Sequence, residues 1–320
     1  MVRFGVGVRE FTLLGLCLAA GIVFACASPA YLTVGNLAAV ARNSVELLLV
    51  GLGETLLLAM GGIDVTVGLV LGLAAIGVGE LLIAGANLWI AAAAGPVVGL
   101  MVGLVTGAVV VFGRIPAIVA TIGLLGVYRT LVFVALGGSW LSGLPPTLAP
   151  VFGARLIGVV PVSLIVIAAA YAAAFLALRR TPFGLHLLAV GDNEERARLA
   201  GVPVRRVRLA AFAMSGALCG LAAVFYVTTY RNVEMTVGST LALDAIAAVV
   251  LGGTSIVGGA ASLSGTALGV LLIRILQNGF TIVGMPSLWQ PVITGALLIG
   301  SLLLERGFAA RFGLARASAP

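Results

Sequence analysis

Residues 88–112 read LWIAAAAGPVVGLMVGLVTGAVVVF, a stretch without a charged side chain. An apolar run of about 17 to 25 residues is long enough to cross the hydrocarbon core of a membrane as one α-helix. Within this run a glycine recurs at every fourth position, which aligns the glycines on one face of the helix. Such a face forms a groove where another backbone can approach closely. The glycines are Gly95, Gly99, Gly103 and Gly107.

This groove can pack against a helix of the same chain or against a helix of a second subunit. The sequence favours packing within one subunit, with a subunit interface as the alternative. The pairs Gly216/Gly220 and Gly265/Gly269 repeat the four-residue spacing more weakly.

The composition of the whole chain is typical of a membrane protein. Of its 320 residues 61% are hydrophobic and 9% are charged, and the mean hydropathy is +1.23. These values exclude a soluble domain. We therefore expect an all-α fold, a polytopic transmembrane helical bundle that forms a single membrane domain over residues 1–320. Apolar runs predict about ten spans, or eight to ten if adjacent runs join, at 11–28, 44–60, 67–86, 88–112, 115–136, 161–178, 209–230, 242–258, 260–284 and 288–304.

The positions of the basic residues predict the orientation. All 18 basic side chains are arginines. Ten spans with the N-terminus inside place most of them on one side, and only Arg42, Arg155 and Arg231 fall on the other. The arginine-rich side is expected to be the cytoplasm, which puts both termini and the loop 179–208 inside and the loop 137–160 outside. This topology explains the net charge of +7, so we expect no nucleic-acid partner.

Residues 191–201, GDNEERARLAG, form a short polar stretch in the predicted cytoplasmic loop. They read as a two-turn helix with a capping residue, acids in the first turn and a terminating glycine. A helix this short is not stable alone in water, so it needs a docking surface, and we expect a soluble partner. The residues in question are Asp192 or Asn193 as the cap, Glu194 and Glu195 in the first turn, and Gly201 at the end.

Two glycine pairs interrupt apolar runs in related places, Gly61-Gly62 and Gly252-Gly253. A residue able to cap a helix follows each pair, Asp64 in the first case and Thr254 or Ser255 in the second. The pattern predicts an internal repeat of two broken-helix units, and corresponding breaks in two halves often mark a transport pathway. The competing interpretation, of equal weight, is that Asp64 only caps a helix after a tight turn.

Ionisable side chains within the predicted spans are costly, since a central Arg or Asp costs about 2.5–3.5 kcal/mol. We therefore expect Arg129 and Arg274 to face protein or a wet cavity. The acids available at depth are Glu54, Asp64 and Glu80. For the two arginines, a structural ion pair with one of these acids is favoured over direct contact with a substrate.

Missing residues exclude several function classes. A chain without lysine cannot contain the GxxxxGK[ST] phosphate loop, so it cannot hydrolyse ATP by that route. The one histidine, His186, lies in the predicted cytoplasmic loop, whereas a membrane-embedded protease or metalloenzyme would need a histidine within the membrane. We therefore expect no enzyme activity, no metal site and no cofactor on this chain.

Three motifs, in order along the chain, carry a family resemblance. Residues 61–68, GGIDVTVG, resemble the signature GGID-[LV]-S-V-G of permease subunits of ribose-type ABC sugar importers, with the conservative departure Val65-Thr66. Residues 189–202, AVGDNEERARLAGV, look like the cytoplasmic coupling segment of that family. Residues 243–255, LDAIAAVVLGGTS, match its C-terminal signature.

The resemblance implies roles for residues of these motifs. It implies that the residues which couple the chain to an ATPase are Gly191, Asp192, Asn193, Glu194, Glu195, Ala197 and Gly201. It also implies that the broken helices of the translocation pathway contain Gly61, Gly62, Asp64, Gly68, Asp244, Gly252 and Gly253. The intramembrane charges Glu54, Arg129 and Arg274 receive no specific role.

The stretches 114–121, 126–129 and 137–145 are also similar to autoinducer-2 import permeases, and in part to rhamnose-type permeases. The resemblance implies an importer in the bacterial inner membrane for a monosaccharide or sugar-like signal of the autoinducer-2, ribose or rhamnose type. Two permease subunits, identical or sister chains, would form the path, and a cytoplasmic ATPase would bind ATP and Mg²⁺. A periplasmic binding protein would deliver the sugar, and we expect it to contact the loop 137–160.

Two other function classes stay open at this point. An ion-coupled secondary transporter also contains repeats and broken helices, and Asp64 with Glu54 could supply its ion site. A non-transporting membrane scaffold for soluble partners is the other alternative.

Overall fold

The computed structural model describes residues 8–156 and 160–311. The regular elements of this part of the chain are helices, a two-residue pairing of β1 (Arg155–Leu156) with β2 (Val160–Pro161), and a single β-bridge between Leu141 and Val233. Single 3-10 turns cover Pro146–Leu148 and Ser287–Trp289. The helices are α1 Val8–Ala27, α2 Val34–Ala59, α3 Val67–Ile83, α4 Leu88–Gly113, α5 Ala117–Ala135, α6 Ala149–Phe152, α7 Val162–Arg180, α8 Pro182–Asp192, α9 Glu194–Leu199, α10 Val204–Tyr230, α11 Leu241–Leu251, α12 Leu263–Ile282 and α13 Gln290–Arg311.

Each predicted span overlaps one helix, but the helices differ in their capacity to cross a membrane. Within the described residues, 6 helices are long and apolar enough for this by length and composition: α1 from Arg9, α4, α5, α7, α10 and α12. Three shorter apolar helices are Val67–Ile83, Leu241–Leu251 and Gln290–Gly300. The expected number of about ten membrane crossings therefore stays a prediction.

The predicted span 242–258 is too long. Helix α11 ends at Leu251, and the chain turns through residues 252–262 before α12 begins. The apolar residues after the glycine pair resemble a helix in composition, but Gly253 has φ +96°, which is incompatible with a continuing right-handed helix.

Helix α2 lies at the centre of the bundle. Nearly all its residues from Ser44 to Ala59 are buried, and it packs against α10, α11 and α12. The helix begins earlier than predicted, at Val34, because the Thr33 side chain accepts a hydrogen bond from the Asn36 N–H and caps its N-terminus. Polar side chains on α2 are therefore held inside the protein rather than in lipid.

Helices α4 and α10 pack through their glycines. The backbone of Gly95 lies against Gly220, that of Gly99 against Gly216 and Gly220, and that of Gly103 against Phe212 and Gly216. A Cβ atom on any of these glycines would collide with the facing backbone. The predicted groove is confirmed, and the structure decides that it is used within one chain.

Candidate functional site

Both glycine pairs end helices in the same way. After α2, the Gly61 N–H donates to the Leu58 carbonyl at 2.8 Å, and Gly61 adopts a left-handed φ of +77°. After α11, the Gly253 N–H donates to the Val250 carbonyl at 2.9 Å, again with a positive φ. A left-handed glycine closes a helix at little steric cost. We call these segments the first turn (residues 60–66) and the second turn (residues 252–262).

The two turns meet the end of α8, and we call this meeting point the junction. The Gly259 N–H donates to the carbonyl of Ala59 at 2.9 Å. Gly258 packs against the backbones of Gly61 and Gly191, and Gly191 packs against Ala59 and Gly259. None of these close approaches leaves room for a side chain. Three stretches that are far apart in sequence therefore share one backbone interface.

The polar stretch 191–201 divides between two helices. Gly191 and Asp192 belong to the end of α8, so of the two expected caps, Asp192 and Asn193, the second is the one used. Asn193 is the cap, since its Oδ1 accepts the Arg196 N–H at 2.8 Å. Helix α9 then runs from Glu194 to Leu199, and Gly201 follows with φ +83°.

Helix α9 docks on its own chain. Ala197 is buried among apolar side chains, and α9 packs on α8 and α10. Glu194 Oε2 accepts a hydrogen bond from Arg208 Nη2 of α10 at 2.6 Å. The need of a short helix for support is thus met inside the chain and does not by itself require a partner. The pair Glu195–Arg198 is exposed, and so is Leu199.

A cavity of about 250 Å³ opens beside the junction. The first turn, the start of α5, and Arg208 and Phe212 of α10 line it. The cavity is thus bordered by the turn that contacts α8 and by the arginine that holds α9.

A polar site separate from the junction lies between one and two turns of α2 before the end of that helix, at Glu54. The Asp64 N–H donates to Glu54 Oε1 at 3.1 Å, and Thr66 donates to Asp64 Oδ1 through its N–H at 2.7 Å and its hydroxyl at 2.6 Å. Asp64 thus bonds Thr66, the N-cap residue of α3, and stabilises the turn that precedes this helix rather than capping its first turn. Glu54 Oε2 and the Ser215 hydroxyl are buried without a hydrogen-bond partner among the residues described.

Arg274 pairs differently from the expectation. Its Nη1 donates to Gln277 Oε1 at 2.8 Å, and Gln277 Nε2 donates to Asp244 Oδ2 at 3.1 Å. The Thr294 hydroxyl donates to the other oxygen of Asp244 at 2.9 Å. Glu46 lies within electrostatic range of Arg274. Of the three expected acids, Glu54 and Asp64 are joined by a hydrogen bond and Glu80 is exposed.

Sequence reasoning missed Glu46 although a signal was present. Glu46 and Glu54 are separated by about two helical turns, which places them on the same side of a 3.6-residue helix. A strip of acids along one helix side is a pattern that could have drawn attention to Glu46.

Arg129 is exposed on α5 and makes no hydrogen bond or salt bridge within the described ranges. The expectation that it faces protein or a wet cavity was wrong for the single chain. The inward residue of α5 is Tyr128, whose hydroxyl shares a hydrogen bond with Thr106 of α4 at 2.9 Å. Because successive residues on a helix point about 100° apart, Arg129 faces away from the bundle.

The remaining predicted pathway glycines are contact points between elements. Gly68 of α3 packs against Gly238, and Gly252 packs against Gly265 of α12. Gly253 lies beside Arg9 of α1, which sequence reasoning had not connected to it. Arg9 donates to the carbonyls of Val250 and Leu251, at 2.9 and 3.3 Å, and so caps the end of α11.

Residues 36–302 match the family described as branched-chain amino acid transport system / permease component. No solved structure matches the chain significantly.

Three similar proteins are autoinducer 2 import system permease proteins LsrC. The protein from Klebsiella pneumoniae is 38% identical over 297 residues, which cover 93% of this chain and 86% of the relative. That of Escherichia coli O157:H7 is 34% identical, with 95% of this chain and 89% of the relative covered. That of Salmonella typhi is 32% identical, with coverages of 95% and 88%. The chain therefore belongs to this permease family and is the membrane-spanning permease component of an ABC-type importer.

Proposed function

We propose that this permease imports a monosaccharide or sugar-like signal of the autoinducer-2, ribose or rhamnose type. The names of the relatives support autoinducer-2 as the first substrate to test. A periplasmic binding protein delivers the substrate, and a cytoplasmic ATPase that binds ATP and Mg²⁺ drives transport. The chain lies in the bacterial inner membrane with both termini in the cytoplasm, and it pairs with a second permease subunit, either a copy of itself or a sister chain.

The observation that carries this proposal is the junction. The coupling loop 179–208 reaches both turns through Gly191, so a displacement of α8 and α9 moves the ends of α2 and α11 together. Interfaces with this close backbone packing transmit displacement because no flexible side chain lies between the parts. An ATPase that presses on the exposed side of α9 would act at this point.

The opposite end of the bundle supports the contact with the binding protein. The loop 137–160 exposes Trp140, 58% of which is accessible. The loop is fixed to the bundle because Leu144 is completely buried and the Leu141 N–H donates to the Val233 carbonyl at 3.0 Å. An exposed aromatic side chain on an anchored loop is suited to partner recognition.

The test is co-purification of the chain with candidate ATPase and binding-protein partners, followed by reconstitution in proteoliposomes. We expect uptake of at least one sugar of a panel containing autoinducer-2, ribose and rhamnose, and this uptake should require ATP and the binding protein. Uptake that proceeds without ATPase subunits would contradict the proposal.

A second candidate function is ion-coupled secondary transport. The specific observation in its favour is the buried pair Glu54 and Asp64, with Glu54 Oε2 lacking a hydrogen-bond partner among the described residues. Buried carboxylates of this kind serve as proton or cation sites in transporters. A proton or sodium gradient that drives uptake in the absence of ATP would favour this function, and sugar-dependent ATP turnover by the complex would exclude it together with the scaffold.

A further inference from the structure

Helix α1 holds the second turn at both of its ends. At the beginning of the turn, Arg9 Nη2 donates to the Val250 carbonyl at 2.9 Å and Arg9 Nε donates to the Leu251 carbonyl at 3.3 Å. At its end, the hydroxyl of Ser262, the N-cap residue of α12, donates to Glu10 Oε1 at 3.1 Å. Two adjacent residues of α1 thus fix the end of one helix and the start of the next. We call Arg9 and Glu10 the clamp.

The second turn depends on contacts from other elements. Hydrogen bonds within it, from the Ser262 N–H to Thr254 Oγ1 and from the Ser255 N–H to the Ala260 carbonyl, shape the turn without fastening it to the bundle. Val257 in its middle is 86% exposed. Glycine loses more conformational freedom on folding than any other residue, and the turn contains Gly252, Gly253, Gly258 and Gly259.

Both clamp residues lie at least partly inside the protein. Glu10 is 7% exposed, and Arg9 is partly buried beside Gly253. A Cβ atom on Gly253 would lie 3.0 Å from Arg9 Cδ and 3.1 Å from its Nε, so the arginine covers the left-handed glycine that ends α11. Hydrogen bonds from a charged donor are roughly twice as strong as those between neutral groups. Arg9 therefore fixes the beginning of the turn more firmly than a neutral side chain would.

The middle of the second turn belongs to the junction. The Gly259 N–H donates to the Ala59 carbonyl, and Gly258 packs against Gly191 of α8. The turn is thus held at its ends by α1 and contacted in its middle by α2 and α8. A segment fixed at both ends passes a displacement of its middle to the helices that it joins. A free glycine-rich segment would absorb the displacement in its own backbone dihedral angles.

We propose that Arg9 and Glu10 are positioning residues for transport. They keep the second turn in place, so that a displacement of α8 by the ATPase reaches α11 and α12. This role rests on the proposed function, because the ATPase has to act at the junction. Helix α1 lies outside the coupling loop and packs on α12, and it takes part in coupling through the clamp alone.

The first measurement is amide hydrogen exchange of the purified chain in lipid nanodiscs, which reports local opening and does not require transport. In Arg9→Gln the amides of the second turn, that of Gly259 included, should exchange at least about tenfold faster, because hydrogen bonds from a charged donor are lost. Glu10→Met should have an effect in the same direction, since methionine has a similar length but no carboxylate oxygen.

The second measurement is the amount of sugar taken up per ATP hydrolysed by the chain reconstituted with its ATPase and binding protein. Arg9→Gln should lower this ratio by about fivefold or more while ATP hydrolysis continues. A variant that is only less stable loses uptake and ATPase activity in proportion, which leaves the ratio unchanged. The ratio therefore distinguishes positioning from a loss of folded protein.

Conservative variants and a matched control accompany both measurements. Arg9→Lys keeps the charge but not the forked donor geometry, so it should give intermediate values, and it replaces Arg9→Gln if that variant does not fold. Glu10→Gln keeps an oxygen that can accept the Ser262 hydroxyl and should restore most of the protection that Glu10→Met loses. Arg42→Gln is the control, because Arg42 is exposed on α2 and has no hydrogen bond or salt bridge in the described part of the chain. It should change neither quantity.

Equal exchange of the second turn in the wild type and in Arg9→Gln would overturn the proposal. Faster exchange together with an unchanged ratio of uptake to ATP hydrolysis would overturn it as well. In both cases, ATP-dependent uptake by the wild type leaves the proposed function standing. If the wild-type complex shows no ATP-dependent uptake, the proposed function fails, and the coupling role of the clamp fails with it.

Discussion

Single side chains decide how charge is accommodated inside this bundle. Glu54 and Asp64 share hydrogen bonds through backbone and threonine donors, and Arg274 bonds an amide rather than a carboxylate. The sequence suggested ion pairs because it shows which charges are present but not which neutral donors reach them. Within the described ranges, the salt bridges Glu195–Arg198 and Glu194–Arg208 both lie in the segment 194–208.

Arg274→Leu is predicted to disturb both assembly and transport. The variant leaves Gln277 Oε1 without its donor and Glu46 without the nearby positive charge. Loss of a hydrogen bond to a charged group costs about 1.5–3 kcal/mol, and the unpaired partner adds to this. The melting temperature of the purified chain and sugar uptake should both fall.

The matched control is Arg129→Leu. Arg129 is exposed and has no hydrogen bond or salt bridge in the described part of the chain, so its loss should change the stability of the purified chain by no more than about 0.5 kcal/mol. Normal expression together with normal uptake in Arg274→Leu would count against any role for that residue.

Pairs of elements are held by backbone contacts as much as by side chains. At α4 and α10 the glycines allow a closer approach than any other residue would. Gly99→Ala should therefore lower stability by about 1–3 kcal/mol through overpacking. Gly123→Ala on α5 is the matched control, because nothing lies within 4 Å of the position of its added Cβ.

The stability changes caused by Gly99→Ala and Gly123→Ala are expected to differ in sign. Alanine has a higher helix propensity than glycine by about 1 kcal/mol, so Gly123→Ala should be neutral or stabilising. Thermal unfolding of both variants in the same detergent measures the difference. A destabilised Gly123→Ala with a normal Gly99→Ala would mean that the glycine packing is not as described.

The contact between α9 and α10 yields a prediction about coupling. The double variant Glu194→Gln with Gly201→Ala removes the negative charge that faces Arg208 and puts a Cβ at φ +83°, which costs about 1–2 kcal/mol. We expect ATP turnover to continue while uptake falls, with the membrane bundle still folded. Simultaneous measurement of ATPase activity and uptake in proteoliposomes tests this.

Glu195→Gln provides the comparison for that experiment. Its bond to Arg198 joins two exposed side chains, and exposed pairs of this type contribute about 0.2–1 kcal/mol. This variant should retain coupling. If coupling is unchanged in the double variant, the ATPase contacts another cytoplasmic loop instead of α9.

The whole molecule places polar sites at three levels along α2. The junction lies at the end of that helix, Glu54 with its partner Asp64 lies between one and two turns deeper, and Glu46 lies toward the opposite end. The loop 137–160 belongs to this opposite end and is anchored through Leu144.

The proposed contact with a binding protein depends on this whole arrangement. Trp140→Ala should reduce the ATPase activity that the loaded binding protein stimulates, since exposed tryptophans are frequent interface anchors, while basal ATPase activity stays at its wild-type value. Phe112→Ala is the control, because Phe112 is also an exposed aromatic side chain, at 65%, but lies at the opposite end of the bundle, where α4 ends. Full stimulation after deletion of the exposed part of the loop would refute the contact.

Much of this architecture was predictable from the sequence. Composition and apolar runs predicted an all-helical membrane protein, Asn193 and Gly201 marked the limits of α9, and the glycine spacing in 88–112 predicted close helix packing. These features depend on local rules: helix periodicity, capping and the freedom of glycine at positive φ. The motifs also identified the family.

Only the tertiary structure decided which of these parts meet. The junction of Gly61, Gly191 and Gly258, the capping of α11 by Arg9, and the position of Glu46 near Arg274 join residues that are far apart in the chain. Helix periodicity assigns a residue to a face of its own helix, but it does not specify the neighbour of that face. That neighbour depends on how all the helices pack together, and a single sequence does not reveal it.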